Sequence, residues 1–119
     1  MAHTIELQTI SDDRGSLTVI EKVLPFDIKR VYYIYNVVGE RGGHKHKKTI
    51  QALIALNGAC QVHVVNGTSK ESFHLDSPDK CLIVNPDDWH TMDNFSKGTI
   101  LLVLASECYD EEYYIEERC

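Results

Sequence analysis

The chain has 119 residues, 43% of them hydrophobic and 25% charged, which is enough apolar material for one core without metal or disulfide staples. A net charge of −6 excludes the broad basic surface of a nucleic-acid binder. No apolar run approaches the ~20 residues of a membrane helix, and "MAHTIELQTISDD" lacks the apolar segment of a secretory signal; the expectation is one cytoplasmic domain over residues 1–119.

In chain order the runs are short and rich in Val, Ile, Leu and Tyr: "SLTVIE" from Ser16, "KRVYYIYNVV" from Lys29, "TIQALIALNG" from Thr49 and "CQVHVV" from Cys60. "ESFHLD", "KCLIVNP" and "GTILLVLAS" follow. Asn57-Gly58, Asn66-Gly67, Ser77-Pro78, Asn85-Pro86 and Lys97-Gly98 separate them, supplying the positive φ or fixed φ that tight turns need. "CQVHVVNGTSKESFHLD" predicts a hairpin turning at Asn66-Gly67. No segment before residue 106 has a 3.6-residue period, and the acidic tail "SECYDEEYYIEERC" is expected to form a short C-terminal helical turn. Seven to ten strands on one such chain predict an all-β, small antiparallel jelly-roll barrel with an interior that can hold a ligand. Cys60, Cys81, Cys108 and Cys119 show no C-x-x-C spacing and read as reduced thiols.

Charge is unevenly spread. Arg41, Lys45, Lys47 and Lys48 put four positive charges into residues 41–48, where no acid falls. Such a run is either a solvated basic loop or a local site for an anion such as a phosphorylated ligand. Inside it lies His44-x-His46, whose members share one face if the segment is a strand.

These residues resemble the two motifs of the cupin superfamily: His44-x-His46, then Gln51 and Gly58; and later Pro86, His90 and Asn94 in "PDDWHTMDN". In metal cupins the position held here by Gln51 is a ligating glutamate. A neutral amide among four cations opposes a divalent ion and favours an anion, and the same cations favour the neutral, proton-accepting imidazole. The expectation is therefore a base site with no metal and no cofactor.

Over nearly its whole length the sequence resembles the sugar-nucleotide 3,4-ketoisomerases, in "DDRGSLTVIE", "LPFDIKRVYYIY", "RGGHKHKKTIQALIALNGACQV", "PDDWHTM" and "VLASECYDEEYYI". The resemblance implies a cupin barrel that moves the ketone of dTDP-4-keto-6-deoxyglucose from C4 to C3 through an enediol(ate). It implies His44 and His46 as acid and base, and substrate contacts from Arg41, Arg14, Gln51 and His90, with Tyr33 and Tyr35 as further pocket candidates. The Arg14/His90 pair resembles the branch giving the galacto configuration at C4, for deoxyamino-sugar biosynthesis, and relatives are homodimers. His63 and His74 alternate with apolar residues and read as structural. Two other readings compete: a sugar-nucleotide 3,5-epimerase, and a metal-binding or non-catalytic cupin that binds a sugar nucleotide or small acid.

Overall fold

The computed structural model describes residues 2–44 and 48–108, with His44 by its backbone alone. The chain enters through β1 (His3–Glu6), then β2 (Gln8–Asp12) and β3 (Gly15–Val19). A long connection leads to β4 (Arg30–Tyr35), followed by β5 (Arg41–His44), β6 (Gln51–Asn57), β7 (Cys60–Asn66) and β8 (Ser69–Leu75). The last three strands are β9 (Lys80–Val84), β10 (Trp89–Asp93) and β11 (Ile100–Ala105). One antiparallel sheet runs β1-β9-β6-β11-β4, the second β5-β10-β7-β8, and β2 with β3 forms a separate hairpin. This is the expected jelly-roll architecture, with eleven strands among the described residues rather than seven to ten. No helix occurs among the described residues, and most of the expected C-terminal helical turn lies outside them.

Alternation explains the second sheet. In β7, Cys60, Val62 and Val64 are buried while Gln61 and His63 are only half-buried, as expected of a strand with one dry face. The inward set meets Leu53, Leu82, Leu101 and Val103 from the first sheet in the main core. Each such aliphatic side chain contributes about 1.5–3 kcal/mol by leaving water.

The run "QALIAL" does not alternate because β6 is covered on both faces. Leu53 and Ala55 face the core between the sheets. Ala52 and Ile54 face a second cluster, where Ile20, Leu24 and Phe26 of the β3–β4 connection cover the outer face of the first sheet.

The expected turns are in place. Gly58 adopts φ +74° and Gly67 φ +61°, values that cost L-residues strain. Asn57 Nδ2 donates to the Gly98 carbonyl at 2.8 Å and the Ala59 amide donates to Ser96 Oγ at 2.9 Å, so the β6–β7 turn is tied to the segment entering β11. Cys60 and Cys81 are free, buried thiols, and burial pushes each up to about 11. Cys108 departs from the expectation of reduced thiols: it is disulfide-bonded. Cys119 lies outside the described residues.

Candidate active site

The two sheets leave a cavity of about 430 Å³ on the side where β4, an edge of the first sheet, faces β5, an edge of the second. Five strands contribute to its wall, among them Tyr32 from β4, Arg41 from β5, Gln51 from β6 and His90 with Met92 from β10. Arg30 adds a second cation, and among the described residues no Asp or Glu lines the cavity. Cations without opposing carboxylates make the space receptive to an anion.

Gln51 is 3% exposed, and its amide Nε2 donates to the Tyr32 hydroxyl at 3.1 Å. The Arg30 guanidinium carbon lies 4.3 Å from the Tyr32 ring centroid, a cation–π contact. An uncharged, hydrogen-bonded amide is the kind of polar group an interior tolerates; an ion there would need a partner.

His90 is 2% exposed. The turn before it is held by Asp88, itself 1% exposed, which accepts from Asn66 Nδ2 and from the Asn85 amide, both at 2.9 Å. That anchor sets the register in which β10 delivers His90 and Met92 to the cavity. His90 Nδ1 lies 3.4 Å from the Asp88 carbonyl, at the long end for a hydrogen bond.

β5 is brought against β10 by a glycine. The pairing aligns His44 with His90 and Gly42 with Thr91, with a register irregularity between His90 and Thr91. Gly42 has φ +91°, and a Cβ there would stand 2.9 Å from the His90 carbonyl oxygen. Only glycine allows this approach. The backbone of His44 is thus fixed directly across from the His90 backbone, at the cavity's edge. His46 lies outside the described residues, as do Lys45 and Lys47.

Tyr32, Tyr33 and Tyr35 all contribute to the cavity lining, as expected of the last two. The Tyr33 and Tyr35 rings are 62% and 59% exposed and stacked on each other with centroids 5.9 Å apart, whereas Tyr32 packs against the core. One expected pocket residue stands elsewhere. Arg14 occupies the β2–β3 turn, its side chain 87% exposed and 2.7 Å from Asp12. The bond from Arg14 holds the Asp12 carboxyl below its usual value. Within its own chain Arg14 does not line the cavity. His63 and His74 also lie off the cavity, on the outward face of the second sheet, where each meets an aspartate.

The family described as FdtA: WxcM-like, C-terminal, matches residues 1–119. The chain belongs to that family. A curated relative, the TDP-4-oxo-6-deoxy-alpha-D-glucose-3,4-oxoisomerase of Aneurinibacillus thermoaerophilus, is 48% identical over 117 residues, covering 95% of this chain and 84% of that one. Among solved structures, a 3,4-ketoisomerase from Helicobacter canadensis superposes with a TM-score of 0.91 at 39% identity, over 98% of this chain and 90% of that one. QdtA, a sugar 3,4-ketoisomerase from Thermoanaerobacterium thermosaccharolyticum solved in complex with TDP, gives 0.89 at 43% identity, over 93% and 84%. The cation-lined cavity of this FdtA-family chain therefore lies in a barrel whose relatives act on, or bind, thymidine nucleotides.

Proposed function

We propose that the protein is a 3,4-ketoisomerase that moves the ketone of TDP-4-keto-6-deoxyglucose from C4 to C3 by proton transfer alone, giving TDP-3-keto-6-deoxygalactose. The observation that carries this reading is the extent of likeness to the Aneurinibacillus enzyme, 48% identity across 95% of this chain. The geometry supports it: the cavity holds cations, an amide, a phenol and an imidazole, and among the described residues no carboxylate. That set suits a sugar diphosphate and an enediolate.

The C3 hydrogen is acidified by the adjacent carbonyl. A base removes it, the electrons pass to the carbonyl oxygen as an enediolate, and reprotonation at C4 leaves the ketone at C3. His44 and His46 act as this base and acid, a role worth about 10²–10⁴-fold each. Arg41 at the cavity edge meets the diphosphate or the enediolate oxygen. Gln51 and His90 hold sugar hydroxyls.

The protein acts as a homodimer. Its β2–β3 hairpin pairs with no other strand among the described residues of its own chain, and Ile10 and Leu17 stand 55% and 58% exposed on it. Among the described residues β4 and β5 are the sheet edges beside the cavity, and sheet edges offer backbone groups to another chain. A second copy supplies what both lack, and its hairpin brings Arg14 toward a cavity that Arg14 does not reach within its own chain.

The test is proton NMR of TDP-4-keto-6-deoxyglucose with EDTA-treated protein in D₂O, beside His44→Asn and His46→Asn. A 3-keto product with deuterium at C4, lost in either variant, is the expected result, and its C4 configuration identifies the branch. Unchanged substrate, or a requirement for added metal, would overturn the assignment.

A further inference from the structure

We propose that Ser72, His63 and Asp93 form a second reaction site on the outward face of the second sheet. There the Ser72 hydroxyl takes an acyl group from a small activated donor, an aryl ester or acyl phosphate, and passes it to water. None of the three lines the cavity, so the site stands apart from the ketoisomerase reading and is tested apart from it.

The three side chains are joined in series. Ser72 Oγ lies 2.7 Å from His63 Nδ1, and His63 Nε2 lies 2.8 Å from Asp93 Oδ1. An ionised carboxylate only accepts, so in a neutral ring Nε2 is the protonated nitrogen. Nδ1 then carries a lone pair, and the Ser72 hydroxyl donates to it. Nucleophile, base and orienting carboxylate in this order are what activates a hydroxyl. The two ring nitrogens are exchanged relative to the serine hydrolases, which changes the direction of approach but not the proton transfer. The His63 and Asp93 side chains are 35% and 34% exposed and Ser72 is exposed, so a small donor reaches the hydroxyl from solvent.

Strand register explains why these groups meet. β7 and β8 close at Asn66↔Ser69 around a two-residue turn, and the closing pair of such a turn is hydrogen-bonded. Bonded and non-bonded pairs alternate from there, which makes His63↔Ser72 a non-bonded pair, the kind whose side chains stand closer. The Ser72 amide in such a pair points away from β7, to the side where β8 has no further strand among the described residues. From there it can donate to the oxyanion formed on its own side chain, as a nucleophile's amide does in serine hydrolases. Lys70, two residues back on the same face of β8, adds a positive charge. Val65 pairs with Lys70 and with Trp89; Trp89 is 40% exposed and gives an acyl or aryl group an apolar surface to lie on.

The steps balance. Ser72 Oγ bonds to the donor's carbonyl carbon while its proton passes to His63 Nδ1. The tetrahedral intermediate collapses, the bond from carbon to the phenolate or phosphate oxygen breaks, and the leaving group departs with the electron pair and the His63 proton. Water then attacks the Ser72 ester, again giving a proton to His63. The acyl group leaves as a carboxylic acid, and Ser72 recovers its hydrogen.

The experiment is stopped-flow release of p-nitrophenolate from p-nitrophenyl acetate, with peptide mapping of the quenched protein. A burst of about one equivalent per chain and an acetyl group on Ser72 are expected, and acetyl phosphate should leave the same adduct. Ser72→Ala should lose both while unfolding at the wild-type temperature; Ser72→Cys should still be acylated. His63→Gln should slow the burst by about 10²–10⁴-fold. In Asp93→Asn an amide can donate where the carboxylate accepted, favouring the ring protonated at Nδ1, which cannot take the Ser72 proton. That variant should slow the burst by roughly 10²-fold or more, and nitrogen NMR should show the His63 proton moving from Nε2 to Nδ1, a change that loss of a structural brace would not produce. Acetyl groups found only on lysines or histidines overturn the proposal. So does p-nitrophenolate release that is the same in Ser72→Ala, or a burst unchanged in His63→Gln.

Discussion

Gln51 shows how one side chain sets the chemistry of a whole cavity. Its amide is 3% exposed, bonded to Tyr32 and close to an Arg30 that already lies over the tyrosine ring. A glutamate would fit by volume but would bring a charge that must shed its water. Gln51→Glu is expected to lower stability by about 1–3 kcal/mol, read from urea denaturation at neutral pH. It should also lower turnover at least tenfold, because a carboxylate there opposes the negative charge that develops on the enediolate. Unchanged stability together with stoichiometric zinc uptake would mean that the position still behaves as a metal ligand.

At the scale of strands, two glycines do different work. Gly58 shapes the β6–β7 turn, with φ +74° and Thr99 and Ser96 within clash distance of any Cβ. It is remote from the cavity wall. Gly42 sets the β5–β10 approach that fixes the backbone of His44 across from His90. Gly58→Ala is expected to cost about 2–4 kcal/mol while the folded fraction keeps near-normal kcat. Gly42→Ala is expected to lower kcat at least tenfold for a comparable or smaller loss of Tm. Equal effects of both variants on kcat would show that β5 placement does not control the site. The second sheet is also laced on its outer face: His63 bridges Ser72 at 2.7 Å and Asp93 at 2.8 Å, linking β8, β7 and β10. Since both partners depend on one imidazole, His63→Ala should destabilise by about 1 kcal/mol without changing turnover.

For the molecule as a whole, the hairpin is the feature that a single copy leaves unexplained. Every residue of β2 is exposed, and a two-stranded ribbon on its own is marginal in water. Two apolar side chains, Ile10 and Leu17, stand more than half exposed upon it. Sedimentation equilibrium is expected to show a dimer. The pair Ile10→Glu and Leu17→Glu should give a monomer whose core still unfolds cooperatively, with turnover reduced at least tenfold because Arg14 no longer reaches the partner's cavity. A dimer that survives both charges would place the interface elsewhere.

The strands from β3 to β11 other than β5 and β10, their turns and the barrel were legible in sequence because alternation and Asn-Gly or Pro signals are local. Arg41, Gln51 and His90 were also singled out by residue type and spacing, and the fold brings them to one cavity wall. β1, β2, β5 and β10 were not legible: β1 depends on pairing with distant β9 and β5 with distant β10, β10 is held by β5 and β7, and β2 pairs across Asp12–Gly15 in a hairpin without a dry face. Which of the β4 tyrosines packs on the core, Tyr32 and not Tyr33 or Tyr35, belongs to the same class. Period-two spacing sorts side chains into two faces, but only the packing of one sheet on the other decides which face is inside. The exposed position of Arg14 was decided likewise, by a hairpin that carries it away from its own barrel.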